Sequence, residues 1–406
     1  MALAVASLVV PGAASASRGD VDGRYGDAGA AVFDNLAFPL GSLVASDSGA
    51  VFFAGQISGR SRSTVVKVKP NGRPDLGFGD GGRALAPRGA PTIRDLAVDS
   101  HGRPVVVVED YPRPNLVARF RRDGSLDTRF GTDGLVQMLD PYSVGIATDS
   151  RDRVLIAFSE RVIRLERNGS FDADGPAGFQ YPGDFTAGSL EVDPHDRPLL
   201  LGHGIDQAEV IRLTDSLTLD TSFGIAKPRV AGSNAESQFS SLDSEGGLWA
   251  TGVLCASRFC EFSIDHVKAN GTLARAFRQR VNPDFLLAAD RGGVIVGGDL
   301  TYGPYPYTSR VTRLTHTGRI DHRWGLDGSA FPYVEGRRFE PDDVKSTAAG
   351  TFVAGDMARG GVAVVHLSNE RGHPDADGDG VPDRKDHCVT LPDLTTKTCK
   401  TLDRPD

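Results

Sequence analysis

Residues 123–134 read DGSLDTRFGTDG, an apolar run from Leu135 to Leu139 follows, and the stretch returns with decay along most of the chain. Residues 71–82 read NGRPDLGFGDGG, 219–224 LDTSFG, 270–277 NGTLARAF and 317–328 TGRIDHRWGLDG. An early copy is DGRYGDAG at 22–29, and a worn one is NGSFDADGPAG at 168–178. The aromatic marks the period: Tyr25, Phe78, Phe130, Phe223, Phe277 and Trp324, with Gly175 in the worn slot, follow one another at 45 to 54 residues. Self-similarity at that period belongs to repeat proteins built from small supersecondary units.

A second element keeps step with the first. LAVDSHGRPVVVV from Leu96, IATDSRDRVLIAF from Ile146 and LEVDPHDRPLLLG from Leu190 each read as strand, tight turn, strand, and four weaker copies complete the set. A third element is an apolar strand ending near a basic residue and a turn, as in VARFRRDG from Val117 and VIRLERNG from Val162. Four strand-like runs in each of seven units predict an all-β fold, a seven-bladed β-propeller of four-stranded blades over residues 17–370. Ring closure removes exposed sheet edges. Ala30–Asp34 is a lone strand before the first unit, and Gly361–Leu367 leaves the seventh unit one strand short, so the two are expected to pair.

Composition agrees: 49 Gly, 24 Pro and only three Met in 406 residues suit many short strands and turns. The formal net charge of −8 argues against a general binder of nucleic acid or anionic membrane. The strings LDTRFG and LDTSFG, each preceded by the D-x-x-G hairpin, resemble the delta-60 repeats of secreted bacterial proteins. That resemblance spans about residues 19–370 and implies a propeller-like fold without an agreed catalytic role.

The repeated Asp99, Asp149, Asp193, Asp243 and Asp290 fall at hairpin turns, where an Asp side chain caps backbone N–H groups, and this outweighs a ring of metal ligands. The marker aromatics read as inter-blade packing and the glycines after them as positive-φ or close-approach positions. Nine His are scattered without an HExxH pair, and no G-x-S-x-G elbow occurs, so no catalytic residues are assigned. His203 is placed in the loop after the second strand of blade four. Arg18-Gly19-Asp20 matches an integrin tripeptide, a coincidence of three residues.

The two ends carry different signals. Leu3 to Pro11 is apolar and Ala14-Ser15-Ala16 offers a small-residue cleavage pattern, so residues 1–16 are expected to be a signal peptide and the protein to be secreted or on the cell surface. That run is too short to span a bilayer. At the other end, residues 375–388 read DADGDGVPDRKDHC. Asp375, Asp377, Asp379, Asp383 and Asp386, with the carbonyl of Val381, fall at the ligand positions of a calcium loop, while Pro374 and Pro382 forbid EF-hand helices. The stretch resembles a thrombospondin type 3 repeat, which implies a calcium-binding tail over 371–406 with Ca²⁺ held by those aspartates. Four cysteines form two close pairs, Cys255 with Cys260 and Cys388 with Cys399. Local disulfides in an oxidising compartment are expected, the first pinning a loop that leaves the second strand of blade five.

Two functions remain open. The first is a non-enzymatic binding or adhesion scaffold for a protein or glycan. The second is a calcium-dependent propeller hydrolase or lyase of lactonase type, which needs several Glu, Asp, Asn or His side chains converging from the starts of the inner strands; those starts read as mostly apolar or small, with Glu191 an exception. In a propeller, the loops joining second to third strands, and fourth strands to the next blade, share the face opposite the D-x-x-G hairpins. That face receives Arg60, Arg62, Tyr111, Arg113, Tyr142, His203, Arg258, Phe259 and the loop TYGPYPYT with Tyr302, Tyr305 and Tyr307. Exposed Tyr and Arg are what hot spots use. Of these, Tyr302, Tyr305, Tyr307, Tyr111, Arg113 and Arg258 are the candidate ligand contacts; the alternative is that the tyrosines cover a blade edge.

Overall fold

The computed structural model describes residues 19–368, except 38–42, 60–61, 88–91, 110–113, 139–142, 174, 206, 229–238, 257–258, 275–276, 282–285, 291–292, 298–309, 335–336, 338 and 359. Of residues 176, 239, 252–256, 259–262, 277–281 and 286 it describes the backbone alone. The described strands form seven antiparallel sheets. Blade 2 is typical: an inner strand Thr92–Val98, then Pro104–Glu109, Leu116–Arg119 and an outer strand Leu135–Gln137, each hydrogen-bonded to the one before. In blade 1 the inner position is shared by two short strands, Leu36–Ala37 and Leu43–Ala45, both paired with Val51–Ile57. Consecutive inner strands touch in an unbroken cycle from blade 1 round to blade 7 and back, which closes a seven-bladed β-propeller. No α-helix occurs among the described residues, and none of their helical segments is long and apolar enough to cross a membrane.

The core is a set of layers between blades. In the strand PVVVVE, Val106 and Val108 pack toward blade 1, whereas Val105 and Val107 pack toward blade 3. Alternate side chains of a strand point to opposite faces, so a strand covered on both faces must be apolar throughout. Seven such apolar clusters lie between successive blades.

The recurrent motif is the clasp between layers. Phe130 is fully buried and the Arg119 guanidinium lies 4.5 Å from its ring centroid. Asp127 accepts a 2.9 Å hydrogen bond from Arg119, and Arg119 also donates to the carbonyl of Arg167 in blade 3 at 2.6 Å. Gly131 N–H donates to the Asn168 carbonyl of that same turn at 2.7 Å. There the chains come so close that a Cβ on Gly169 (φ +85°) would sit 2.5 Å from the Gly131 nitrogen, so the NG and DG turns need glycine for both conformation and contact. Gly72 against Gly26, Gly124 against Gly79 and Gly271 against Phe223 repeat the contact.

The ends meet as expected. Ala30–Phe33 pairs antiparallel with Val362–Ser368, Ala30 opposite Val365, and supplies the outer strand of blade 7. Gly19 and Asp20 fill the turn position of that blade's clasp: Gly19 presses on Trp324 of blade 6 and Asp20 is fully buried. The Gly and Asp of the integrin-like tripeptide are therefore not displayed. In blade 5, Cys255 and Cys260 belong to strands Leu248–Ala256 and Phe259–Val267 and face each other directly in register. They lie within the hairpin rather than in a loop beyond the second strand.

Candidate functional site

The inner strands bring four charged side chains to the central channel, three of which the sequence did not single out. Asp95 and Asp343 occupy the same place in blades 2 and 7, each at a register shift in its inner strand. The shift turns the carboxylate toward the next blade. Asp95 accepts from its neighbour Leu96 N–H at 2.7 Å and from Ile146 N–H of blade 3 at 2.9 Å. Asp343 does the same with Val344 at 2.7 Å and Leu43 of blade 1 at 3.0 Å. Ser189 meets Ser240 at 2.7 Å in the equivalent place between blades 4 and 5.

Two residues further along each strand, blade 4 carries Glu191 and blade 7 carries Lys345. Glu191 is next to last in its strand, near the hairpin and not at the strand's start. The Lys345 ammonium lies 3.9 Å from Asp343, and 40 % of its side chain stays exposed because it stands in the channel while protein surrounds it. Burial pushes Asp95 up to about 7, against its N–H donors and the charge of Lys345. Burial also pushes Glu191 up to about 7, opposed by Lys345 and reinforced by Asp95 and Asp343. Asp343 is raised by burial too, and its negative charge raises Lys345 in turn. Three carboxylates and one ammonium thus share an enclosure in which burial favours the protonated acids, two of them raised to about 7.

On the hairpin face the same residue types behave oppositely. Asp99 caps the N–H groups of His101 and Arg103, both at 3.0 Å, and pairs with the Arg103 guanidinium at 2.6 Å. Asp149 with Arg153 and Asp193 with Arg197 repeat the pair, and Asp243, lacking an Arg at that spacing, bonds His266 at 2.6 Å. The turn-capping role expected for Asp99, Asp149, Asp193 and Asp243 holds, and Asp290 bonds the side chains of Arg313 and Ser346. Asp152 and Asp196 take the left-handed conformation (φ +61° each) where other turns use Gly, and reach back to Ser100 and Ser150 of the preceding blade. Their proximity to other acids, Asp99 with His101 and Asp149 with Asp215, makes acidic groups that Arg103, Arg153 and Arg167 already penetrate.

The remaining sequence candidates lie elsewhere. Tyr111, Arg113, Tyr142, Arg258, Tyr302, Tyr305 and Tyr307 fall outside the described residues, as do residues 1–16, the aspartates from Asp375 to Asp386, Val381, Cys388 and Cys399. His203 ends strand Pro198–His203 and pairs with Thr186 and Ala208, so it belongs to the sheet and not to the loop beyond it.

Among solved structures the chain is similar to Raptor of Chaetomium thermophilum, with 12 % identity and a TM-score of 0.52 over 84 % of this chain and 29 % of that one. It is also similar to the C-terminal WD40 domain of Sif2, with 9 % identity and a TM-score of 0.47 over 83 % of this chain and 98 % of that one. PorZ, a bacterial surface component of the type-IX secretion system of Porphyromonas gingivalis, gives 9 % identity and a TM-score of 0.45 over 84 % and 39 %. The chain spans less than a third of Raptor and about two fifths of PorZ. At such identities the likeness concerns the fold alone, a β-propeller. No protein-family model matches the chain, and no curated protein does.

Proposed function

We propose that this propeller is a binding scaffold without catalytic activity, secreted or held at the cell surface, that presents loops to a protein or glycan partner. The observation that carries the reading is a division of labour among polar residues. The repeated Asp, Arg and Gly positions tie each blade to its neighbour, as in Asp127–Arg119–Arg167 and Gly131–Asn168. They make a frame, and the Tyr and Arg candidates that fall outside the repeat are left free of that duty. Replacing Tyr302, Tyr305 and Tyr307 by Ser should abolish binding to cell-wall glycans or surface proteins on an array while the fold is kept. Affinity that survives the triple change would remove these tyrosines as the site.

The second reading, a calcium-dependent hydrolase or lyase of lactonase type, draws on Asp95, Glu191 and Asp343 converging on the channel. Lys345 weighs against it, since its ammonium already supplies the cation among those carboxylates. Lactone turnover lost in Glu191→Gln would reverse the preference.

Delta-60-like repeats and a thrombospondin type 3-like tail fit the same extracellular scaffold. Calcium at ~10⁻⁴–10⁻³ M should order residues 375–386, and calorimetry on Asp377→Ala/Asp379→Ala should show that uptake gone. The disulfides Cys255–Cys260 and Cys388–Cys399 should appear in peptide maps made without reductant.

A further inference from the structure

Blade 2 departs from the repeat in one place that its own folding does not explain. A cavity of about 400 Å³ on the hairpin face is lined by Arg103, Arg119, Arg121, Arg129 and Asp127. Two of these guanidiniums belong to the frame. Arg103 pairs with Asp99 and Arg119 with Asp127, and blades 3 and 4 carry Arg at the same two places, Arg153 and Arg164 in one, Arg197 and Arg212 in the other.

Arg121 and Arg129 are different. The turn bonds fix the equivalences: Arg121 N–H donates to Ser125 as Glu166 does to Ser170 and Thr214 to Thr218. Arg129 stands two residues after Asp127, as Asp174 and Ser222 stand after Asp172 and Asp220. By sequence position, blades 3 and 4 thus carry Glu166 and Asp174, or Thr214 and Ser222, where blade 2 has two arginines. Blade 2 alone among the seven has Arg at all four positions.

Both extra side chains are within reach of solvent. Arg121 is 47 % exposed; it donates to the Thr128 hydroxyl at 3.2 Å and lies 3.8 Å from Asp127, a carboxylate already bonded to Arg119. Arg129 is exposed at the mouth. Among the described residues, four guanidiniums therefore line the cavity with a single carboxylate. Burial and the nearby charge of Arg103 push Arg119 below its ordinary range, as crowded cations must be.

We propose that this cavity is an anion site for a tetrahedral oxyanion, a phosphate or sulfate group either free or esterified to a glycan. A carboxylate has two oxygens, and both of Asp127's are engaged: Oδ2 takes Arg119 at 2.9 Å and Oδ1 accepts from the Arg129 N–H at 3.3 Å. A phosphate or sulfate ester keeps three terminal oxygens and can engage the forks of Arg121 and Arg129 together. The volume exceeds what an inorganic oxyanion fills, which leaves room for part of a carrier. The site uses none of the tyrosine candidates, so it stands or falls separately from them.

The test is calorimetry of the full chain against inorganic phosphate, inorganic sulfate and a sulfated oligosaccharide, at low and moderate salt. Arg121→Gln/Arg129→Gln should weaken binding of at least one probe by roughly tenfold to a hundredfold, the range for losing charge-assisted hydrogen bonds. Arg319→Gln/Arg323→Gln, which removes the same charge from exposed positions in blade 6, should leave it unchanged. Binding of the inorganic ions points to a free anion, and binding of the oligosaccharide alone points to an ester. An unchanged affinity in the blade 2 variant, an equal loss in the blade 6 control, or no binding of any probe by the wild type overturns the proposal. Matching melting curves for both variants keep a folding defect from mimicking the result.

Discussion

The hairpin face and the central channel hold similar carboxylates in opposite electrostatic states. On the hairpin face, Asp220 accepts from Ser222 and Arg212 and is held down to about 2. Asp127 and Asp152 are also held below the usual carboxylate range, by Arg119 in one case and Ser100 in the other, despite burial. In the channel, Asp95 and Glu191 rise to about 7 although Asp95 keeps two N–H donors. The difference is the supply of cations: nearly one guanidinium per carboxylate at the turns, and one ammonium for three carboxylates inside. Hydrogen bonds to backbone alone do not offset desolvation there.

Removing a partner on the hairpin face should have the largest effect. Arg119 and Asp127 have side chains only 4 % and 7 % exposed, so Asp127→Ala leaves a buried guanidinium unpaired and should cost about 3–5 kcal/mol, read from the denaturant midpoint. A midpoint shift under ~1 kcal/mol would mean the pair is not what holds blade 2 to blade 3.

The channel predicts a dependence on pH. Asp95 and Glu191 have folded values raised above their unfolded ones, so the native state binds more protons between about 4 and about 7, and stability falls as pH rises through that window. The hairpin-face aspartates have lowered values, so their contribution is present above about pH 4 and is lost as pH falls through the acid range. Stability should therefore peak near pH 5 and fall toward pH 8 by several kcal/mol, roughly 2–3 kcal/mol from each of the two groups. Asp95→Asn with Glu191→Gln should flatten the limb above pH 5; an unchanged slope would show that these groups are not its source.

Lys345→Met should sharpen the contrast further, by a smaller amount because the lysine is partly in solvent. A loss of about 1–2 kcal/mol is expected at pH 8 and a smaller one at pH 5, where Asp95 and Glu191 are neutral. Equal loss at both values would indicate packing and not charge.

The smallest change is Asp152→Asn. Asn tolerates the left-handed conformation and still accepts from Ser100, but gives up the pairing with Arg103 and Arg167. The expected cost is ~0.5–1 kcal/mol, seen as a small fall in Tm.

Blade number, strand order and ring closure were legible because LDTRFG and D-x-x-G recur and because Ala30–Phe33 lacks any local partner. The channel was not. Asp95 in IRDLAVDSHG looks like any polar strand residue; only the register shift between Ile93 and Asp95 and the next blade's Ile146 give it a place. Lys345 and Glu191 lie 154 residues apart, 345 less 191, and share a space only once the ring closes. The signal for the arginine cavity was present in the sequence as an excess over the repeat at Arg121 and Arg129, visible when copies are compared position by position.

The seam in blade 7 has a mechanical meaning. Gly19 N–H donates to the Ser368 carbonyl at 2.7 Å and Asp22 N–H to that of His366 at 2.9 Å, and the ladder then runs from Ala30–Val365 to Phe33–Val362. Tension between residue 19 and residue 368 loads these bonds one after another, from the Ser368 end inward, and never all at once in shear. The seam is the fuse of the ring: a tug through a tail anchored beyond Ser368, opposed by a hold on the other end, peels one strand from blade 7 before any other blade bears the force.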